Sequence, residues 1–120
     1  MTSGPPPPSE ESEQRALAAW LDIKKLWWCH VPNGGLRHSM TGLKLKAQGA
    51  KPGVPDILIF TPPPNNPAAR GVAIEVKRTS RGVLSGDQRI WLQQLERCGW
   101  EVLTAKGARA GIAFLVSLGY

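Results

Sequence analysis

The stretches GVPDILIF (residues 53–60) and VAIEVK (residues 72–77) decide the fold of this chain. Each contains a short apolar run of strand-forming residues, and the second begins to alternate apolar with polar side chains. The proline-rich segment between them, residues 61–67, is typical of a loop. Because two strands joined by one loop pair as antiparallel neighbours, we expect a hairpin here.

Three charged side chains converge on this hairpin. Glu75 and Lys77 are two residues apart on one strand and therefore project from the same face, and Asp56 meets them across the pairing. Two carboxylates at close range raise the pKa of one of them unless a cation lies between them. Mg²⁺ or Mn²⁺ would meet that need, and Lys77 would then orient or deprotonate a water molecule. A surface hairpin with an ordinary Glu-Lys pair is the simpler alternative.

A helix is predicted ahead of the hairpin, because Ser9 suits an N-cap and the run to about Lys24 contains no helix breaker. Glu11 points away from its inner stripe. The stripe groups residues at helical spacing, namely Glu10, Glu13, Gln14, Leu17 and Leu21. Either Glu10 or Glu13 can therefore enter the site, while complementing the helix dipole is the competing role for both.

The whole chain is predicted to alternate helices and strands in the order α, β, α, β, β, α, β, α. A first strand covers residues 27–31, a short helix begins at Ser39 or Thr41 and ends near Gln48, and Gly99 terminates a later helix. A strand over residues 100–105 and a closing helix over residues 108–118 follow. The expected fold class is α/β, with a central mixed sheet flanked by helices.

Size and composition indicate one small domain. The chain has 120 residues, a mass of 13.0 kDa and 42% hydrophobic residues. Residues 1–8, with four prolines, are expected to be a disordered leader, and residues 9–120 a single domain. No apolar run is long enough for a bilayer span, so we expect a soluble, cytoplasmic protein. Cys29 and Cys98 lie in apolar elements and are expected to be reduced and buried.

The charge of the chain favours a polyanionic partner. The formal net charge is +6 and the isoelectric point is about 9.8, so nucleic acid is a stronger hypothesis than ordinary solubility charge. The glycine-rich turn after Pro32 offers bare backbone amides to a phosphate, although a plain turn is an equal competitor. The expected DNA contacts are Asn33, Arg37, His38, Lys44, Lys46, Lys51, Arg78 and Arg81.

Several motifs, in this order, resemble one nuclease family. They are GVPD (residues 53–56), EVKR (75–78), GVLSGDQ (82–88) and WL (91–92), preceded by HVPNGGLR (30–37) and LKAQG (45–49). Together they look like the VRR-NUC family, the virus-type replication-repair nucleases of the PD-(D/E)xK superfamily. The resemblance covers nearly the whole folded chain and implies a restriction-endonuclease-like core.

The same resemblance implies roles for particular residues. Asp56, Glu75 and the Val76 carbonyl would hold Mg²⁺ or Mn²⁺, and the family's S-E-x-x-x-Q start makes Glu10 the preferred further metal ligand. Gln88 would support the catalytic site, although its spacing from the predicted cap Ser85 also fits a purely structural capping box.

The implied activity is Mg²⁺-dependent hydrolysis of DNA phosphodiester bonds. Stand-alone members are similar to homodimeric resolvases that cut branched DNA such as Holliday junctions, so a homodimer and branched DNA are expected. General or restriction-like cleavage of duplex DNA is the first alternative. A catalytically silent DNA-binding module and a small basic protein bound to an acidic protein are the others.

Overall fold

Four strands form one mixed sheet in the order β1-β2-β3-β4 in the computed structural model, which describes residues 4–32 and 40–120. The strands β1–β2 and β2–β3 are antiparallel neighbours, and β3–β4 are parallel. The helices and strands are α1 (Glu10–Ile23), β1 (Trp28–His30), α2 (Met40–Ala47), β2 (Ile57–Ile59), β3 (Val72–Lys77), α3 (Gly86–Arg97), β4 (Glu101–Lys106) and α4 (Ala108–Ser117). The predicted α/β class and order of elements are confirmed, with ends that differ by one or two residues.

The hydrophobic core lies between one face of the sheet and the pair α1 and α4. The apolar residues of β3 that point toward it, Val72, Ile74 and Val76, pack in a buried cluster with Leu17 of α1 and Leu115 of α4. Helix α3 packs against β3 and β4, and its Leu92 is buried. Because β3 has neighbours on both sides and helices on both faces, all six of its residues are buried.

Helix starts follow their sequence signals. The Ser9 side chain accepts a hydrogen bond from Ser12 N at 3.0 Å, as expected of an N-cap. At the start of α3, the hydroxyl of Ser85 accepts from Gln88 N, and Ser85 N donates to Gln88 Oε1 at 2.9 Å. These two bonds complete a capping box and fix the beginning of α3. In the described part of the chain, every helix is too short or too polar to cross a bilayer.

The prediction that both cysteines are buried is wrong, since Cys29 and Cys98 are free and exposed. Cys29 lies on β1, which is an edge strand, and its face of the sheet is left open there. Cys98 is the C-cap residue of α3. Both cysteines lie in apolar stretches of sequence, but no other part of the fold within the described residues packs over them.

Candidate metal centre and active site

Pairing of β2 with β3 brings Asp56 to Glu75. Ile57 pairs with Ile74, so the residue before β2 lies beside Glu75. The Val76 amide donates a hydrogen bond of 2.7 Å to Asp56 Oδ2, which holds the carboxylate over β3. The Asp56 carbonyl accepts from Val31 N at 2.8 Å and lies 2.8 Å from His30 Nδ1. The start of β2 is therefore tied to both neighbouring strands, and Asp56 has little freedom to move.

A glycine also fixes the approach to Asp56. Gly53 has a φ of 88°, in the left-handed region that favours glycine. A Cβ atom at this position would lie 2.6 Å from the backbone carbon of Asp87, in the first turn of α3. The GVPD segment can therefore cross the start of α3 only with a glycine at its head.

Glu10 completes an acidic triad. One carboxylate oxygen from each of Glu10, Asp56 and Glu75 lies within 4.8 Å of the others. The sequence left either Glu10 or Glu13 open for this position. Glu13 Oε1 instead accepts a hydrogen bond of 3.0 Å from Ala108 N, the first residue of α4. The N-cap of α4 is Gly107, which has no side chain to cap the helix, so Glu13 takes that role from α1.

Lys77 lies beside the triad. Its Nζ atom is 3.8 Å from Glu75 Oε2, and the two side chains share one face of β3, as the two-residue spacing predicts. Glu75 is 2% exposed and Lys77 is 7% exposed. A lysine held in a buried site next to carboxylates can serve as a proton donor or as a fixed positive charge.

The electrostatics of the site centre on Glu75. Burial raises the pKa of Glu75 to about 9, and the hydrogen bond and negative charge of Asp56 act in the same direction. Lys77 lowers this pKa and Glu10 raises it further, by smaller amounts. Glu75 Oε1 is buried and has no hydrogen-bond partner among the described residues. A buried carboxylate with one unsatisfied oxygen, flanked by two others, is stable only with a proton or a cation.

The donor set fits a hard divalent cation. Three carboxylates supply oxygen ligands, and no thiol or imidazole of the described residues belongs to the group, which favours Mg²⁺ or Mn²⁺ over zinc. The triad opens into a cavity of about 470 Å³. Its lining residues are Glu10, Glu11, Gln14, His30, Pro32, Asp56, Glu75, Val76 and Gln88. The cavity is large enough for a phosphodiester group to reach the carboxylates.

Gln88 lines this cavity and is also part of the capping box. Its Oε1 atom accepts from Ser85 N, so the amide nitrogen is left for the cavity. The two roles that the sequence offered for Gln88 are therefore compatible. Val76 also lines the cavity, and its amide is engaged by Asp56.

Sequence reasoning did not assign some of the cavity-lining residues to the site. Gln14, one turn after Glu10, has a buried Oε1 atom without a partner in the described chain, and His30 lines the same cavity. Their signals were available, since Gln14 shares the stripe of Glu10 and His30 ends a strand next to Asp56. Glu11 is also among the residues that line the cavity, but its carboxylate points away from the triad as expected, since it is 73% exposed and pairs with Arg15 at 2.7 Å.

The predicted DNA contacts divide into two groups. Five of these side chains are exposed and free of carboxylate partners within the described chain: Lys44, Lys46, Lys51, Arg78 and Arg81. Arg78 and Arg81 directly follow β3, whose last residue is Lys77. Asn33, Arg37 and His38 lie outside the described residues.

Comparisons with known proteins agree with this geometry. The model of the VRR-NUC domain family matches residues 8–109, most of the chain. A solved structure described as a VRR_NUC domain protein superposes with a TM-score of 0.76, covering 95% of this chain and 93% of its own, at 22% sequence identity. A search of curated proteins found no match. The structural likeness supports the fold, and the family match extends from the leader to α4.

Proposed function

Since this chain belongs to the VRR-NUC domain family, a family of nuclease type, we propose that it is a metal-dependent endodeoxyribonuclease that hydrolyses phosphodiester bonds of DNA. The observation that carries the proposal is the acidic triad with Lys77 beside it, on one face of β3 and at the edge of an open cavity. A structural ion pair or a DNA-binding surface does not require three carboxylates to lie close together, one of them with a buried oxygen that lacks a hydrogen-bond partner. A metal site does require such a group.

Glu10, Asp56 and Glu75 would hold the cation, with the Val76 carbonyl as a further oxygen ligand. We propose Mg²⁺ as the ion and Mn²⁺ as its substitute, because both prefer oxygen ligands. A bound divalent ion would lower the pKa of water and neutralise charge that develops on the phosphate. Burial of Glu75 keeps this carboxylate from relaxing into solvent and so maintains the geometry of the ligand set.

Lys77 would position the attacking water or accept its proton. Its Nζ atom is held within 3.8 Å of Glu75 by the strand, so its location does not depend on a flexible loop. The Gln88 amide nitrogen would donate to the same water or to a phosphate oxygen, because the amide oxygen is already engaged in the capping box. Glu10 would contribute from α1, so closure of the site depends on the packing of α1 on the sheet.

The substrate of this site is proposed to be branched DNA, such as a Holliday junction. Basic side chains on α2, after Gly49 and after β3 would contact phosphates: Lys44, Lys46, Lys51, Arg78 and Arg81, together with Asn33, Arg37 and His38. A homodimer would present two sites related by a two-fold axis, which suits paired cuts across a junction. The proposed location is the cytoplasm, where the DNA is accessible.

The test is cleavage of labelled four-way junction, flap, single-stranded and linear duplex DNA in Mg²⁺, Mn²⁺ or EDTA. Wild type should cut only with metal, and Lys77→Ala should lose cutting while it keeps its fold and DNA binding. Lys106→Ala is the matched control, because Lys106 lies beside Lys77 on β4 but is exposed.

Each outcome of this test has a distinct reading. Retained cleavage by Lys77→Ala refutes the assigned role of Lys77. Equal cutting of all duplexes favours a general nuclease over a resolvase. Binding without any cleavage by wild type favours a silent DNA-binding module.

A further inference from the structure

Aromatic residues form a row across the end of the sheet remote from the acidic triad. Trp28 pairs with Ile59, Ile59 with Val72, and Val72 with Glu101. One step further along each strand, the aligned residues are Trp27, Phe60, Gly71 and Trp100. Hydrogen bonds fix this alignment, from Phe60 N to the Trp27 carbonyl at 2.7 Å and from Glu101 N to the Gly71 carbonyl at 3.0 Å. The side chains of the row therefore share one face of the sheet.

Gly71 makes the row continuous. A Cβ atom at this position would lie 2.7 Å from Cζ3 of Trp100, so the indole covers the glycine directly. The ring reaches Phe60 in an edge-to-face contact, with centroids 6.0 Å apart and planes at 78°. Because Gly71 has no side chain, the rings of Phe60 and Trp100, which lie on either side of it, pack together and form a platform.

Solvent reaches the outer part of this platform. Trp27 is 81% exposed and Phe60 is 50% exposed. The Trp27 backbone is nevertheless fixed, since its amide donates to Thr61 Oγ1 at 2.9 Å. Ile23, at the end of α1, is also exposed. A large, exposed aromatic side chain on a fixed backbone is a common mark of a binding surface.

Charged side chains lie near the row in the chain, and the cations among them outnumber the carboxylates. Lys24, Lys25 and Arg70 are exposed and lie within three residues of Trp27 or Gly71 in the chain. The ammonium of Lys24 lies over the Trp20 ring, 5.4 Å from its centroid, so Lys25 and Arg70 are the cations left for the row. Asp22 accepts a hydrogen bond from Trp28 Nε1 at 2.9 Å, and Glu101 accepts from Asn66 Nδ2 at 2.7 Å. A two-fold contact between two copies of this surface would bring like charges together. The charge therefore favours a polyanion over a second copy of the chain.

We propose that this row, namely Trp27, Phe60 and Trp100 with Lys25 and Arg70, is a second DNA-contact surface that stacks the unpaired bases of a single strand. Rigid aromatic rings bordered by cations are the usual means of binding single strands without sequence preference. The proposal rests on the proposed function, because it assigns the strand to the DNA substrate of the same protein.

The route from the triad to the row supports one continuous strand. Gly71 and Glu75 share a face of β3 and are four residues apart, which is roughly 13 Å at the rise of a strand. On the neighbouring strands, exposed Cys29 and half-buried Leu58 pair with each other between the two ends. An unpaired branch that leaves the cleavage site would therefore cross this open part of the sheet and reach the row.

The experiment measures the affinity of fluorescein-labelled oligo-dT and of a blunt duplex by anisotropy in EDTA, where metal-dependent cleavage does not occur. The variants are Trp27→Ala, Trp27→Phe and the control Val116→Ala, which truncates a similarly exposed apolar side chain on α4. Trp27→Ala should weaken oligo-dT binding roughly 5- to 150-fold, the equivalent of one stacked base, with little change for the duplex. Trp27→Phe and Val116→Ala should stay close to wild type.

Unchanged oligo-dT binding by Trp27→Ala would overturn the proposal. So would sedimentation data in which this variant converts a wild-type dimer to a monomer, because the surface would then serve self-association. Thermal melting should confirm that Trp27→Ala folds, as its exposure predicts. The proposed nuclease function is tested separately, because it fails if wild type cannot cleave DNA in Mg²⁺. The binding assay in EDTA does not depend on that result.

Discussion

Ile74 and Glu75 are adjacent on β3 and almost completely shielded from solvent, with exposed fractions of 0% and 2%. Ile74 packs in the hydrophobic cluster with α1 and α4, while Glu75 faces the acidic triad and Lys77. Burial stabilises the fold on the first face, because apolar surface leaves water. On the second face it destabilises the metal-free protein, because a carboxylate loses its hydration beside others. The Ile74 face of β3 thus stabilises the fold and the Glu75 face carries the proposed chemistry. A substitution on one face should leave the property of the other face unchanged.

The largest effect is expected on the charged face. Glu75→Gln keeps the shape of the side chain but removes a metal ligand, so DNA cleavage in Mg²⁺ should fall roughly 10²–10⁴-fold. The metal-free variant should unfold at a higher temperature than wild type at neutral pH, since no buried carboxylate must be accommodated. Cleavage rates and thermal melts in EDTA test both parts. Near-normal cleavage would remove Glu75 from the site.

On the apolar face, Ile74→Ala should have the opposite profile. Deleting a fully buried aliphatic side chain leaves a cavity and should lower the free energy of unfolding by about 2–5 kcal/mol. Cleavage at a temperature where the variant is folded should stay near wild type, because Ile74 points away from the triad. Urea unfolding and low-temperature cleavage are the measurements. A large loss of activity in fully folded protein would mean that the two faces are not independent.

The pH dependence of the free energy of unfolding should show the effect of burying Glu75 on the charged face of β3. In the folded metal-free protein the pKa of Glu75 is about 9, against an ordinary value of 4.5, so folding takes up a proton between these values. The contribution of Glu75 to the free energy of unfolding is complete below pH 4.5, the pKa of the unfolded chain, and is lost as the pH rises toward 9. The slope for one proton is at most about 1.4 kcal/mol per pH unit. Melts in EDTA across this range should show a steeper fall for wild type than for Glu75→Gln, and parallel curves would contradict the shift.

The smallest effect is expected one turn along α1 from Glu10. Glu13→Ala removes the acceptor for Ala108 N and should lower stability by about 1 kcal/mol, the usual cost of losing a helix cap. Glu13→Gln keeps an acceptor oxygen and should recover most of that loss. Both variants should cleave DNA like wild type. If Glu13→Ala instead abolished the metal requirement or the activity, Glu13 rather than Glu10 would be the acidic residue contributed by α1.

Much of the fold and of the site could be predicted because the signals are local. Alternation within residues 72–77 places Glu75 and Lys77 on one face, and the single loop after Phe60 makes β2 and β3 antiparallel, which brings Asp56 beside them. Helix caps at Ser9 and Ser85 are also encoded within four residues of sequence. These features depend on backbone periodicity rather than on distant contacts.

The remaining features depend on contacts between distant parts of the chain. Glu10 and Glu13 are equivalent by helical spacing, and what separates them is the uncapped Gly107, far away in sequence. The exposure of Cys29 follows from its place on an edge strand, which an apolar sequence does not reveal. The aromatic row requires the register of all four strands, so the alignment of Trp27 with Phe60 and Gly71 cannot be read from the sequence.

Binding of Mn²⁺ measured by titration calorimetry at neutral pH tests the central claim most directly, that the buried carboxylates form a divalent-cation site. In two buffers of different ionisation heat, wild type should bind Mn²⁺ and release a proton from Glu75. Asp56→Asn and Glu75→Gln should bind far more weakly, and Glu13→Gln should bind like wild type. Equal binding by Glu75→Gln and wild type would contradict the account.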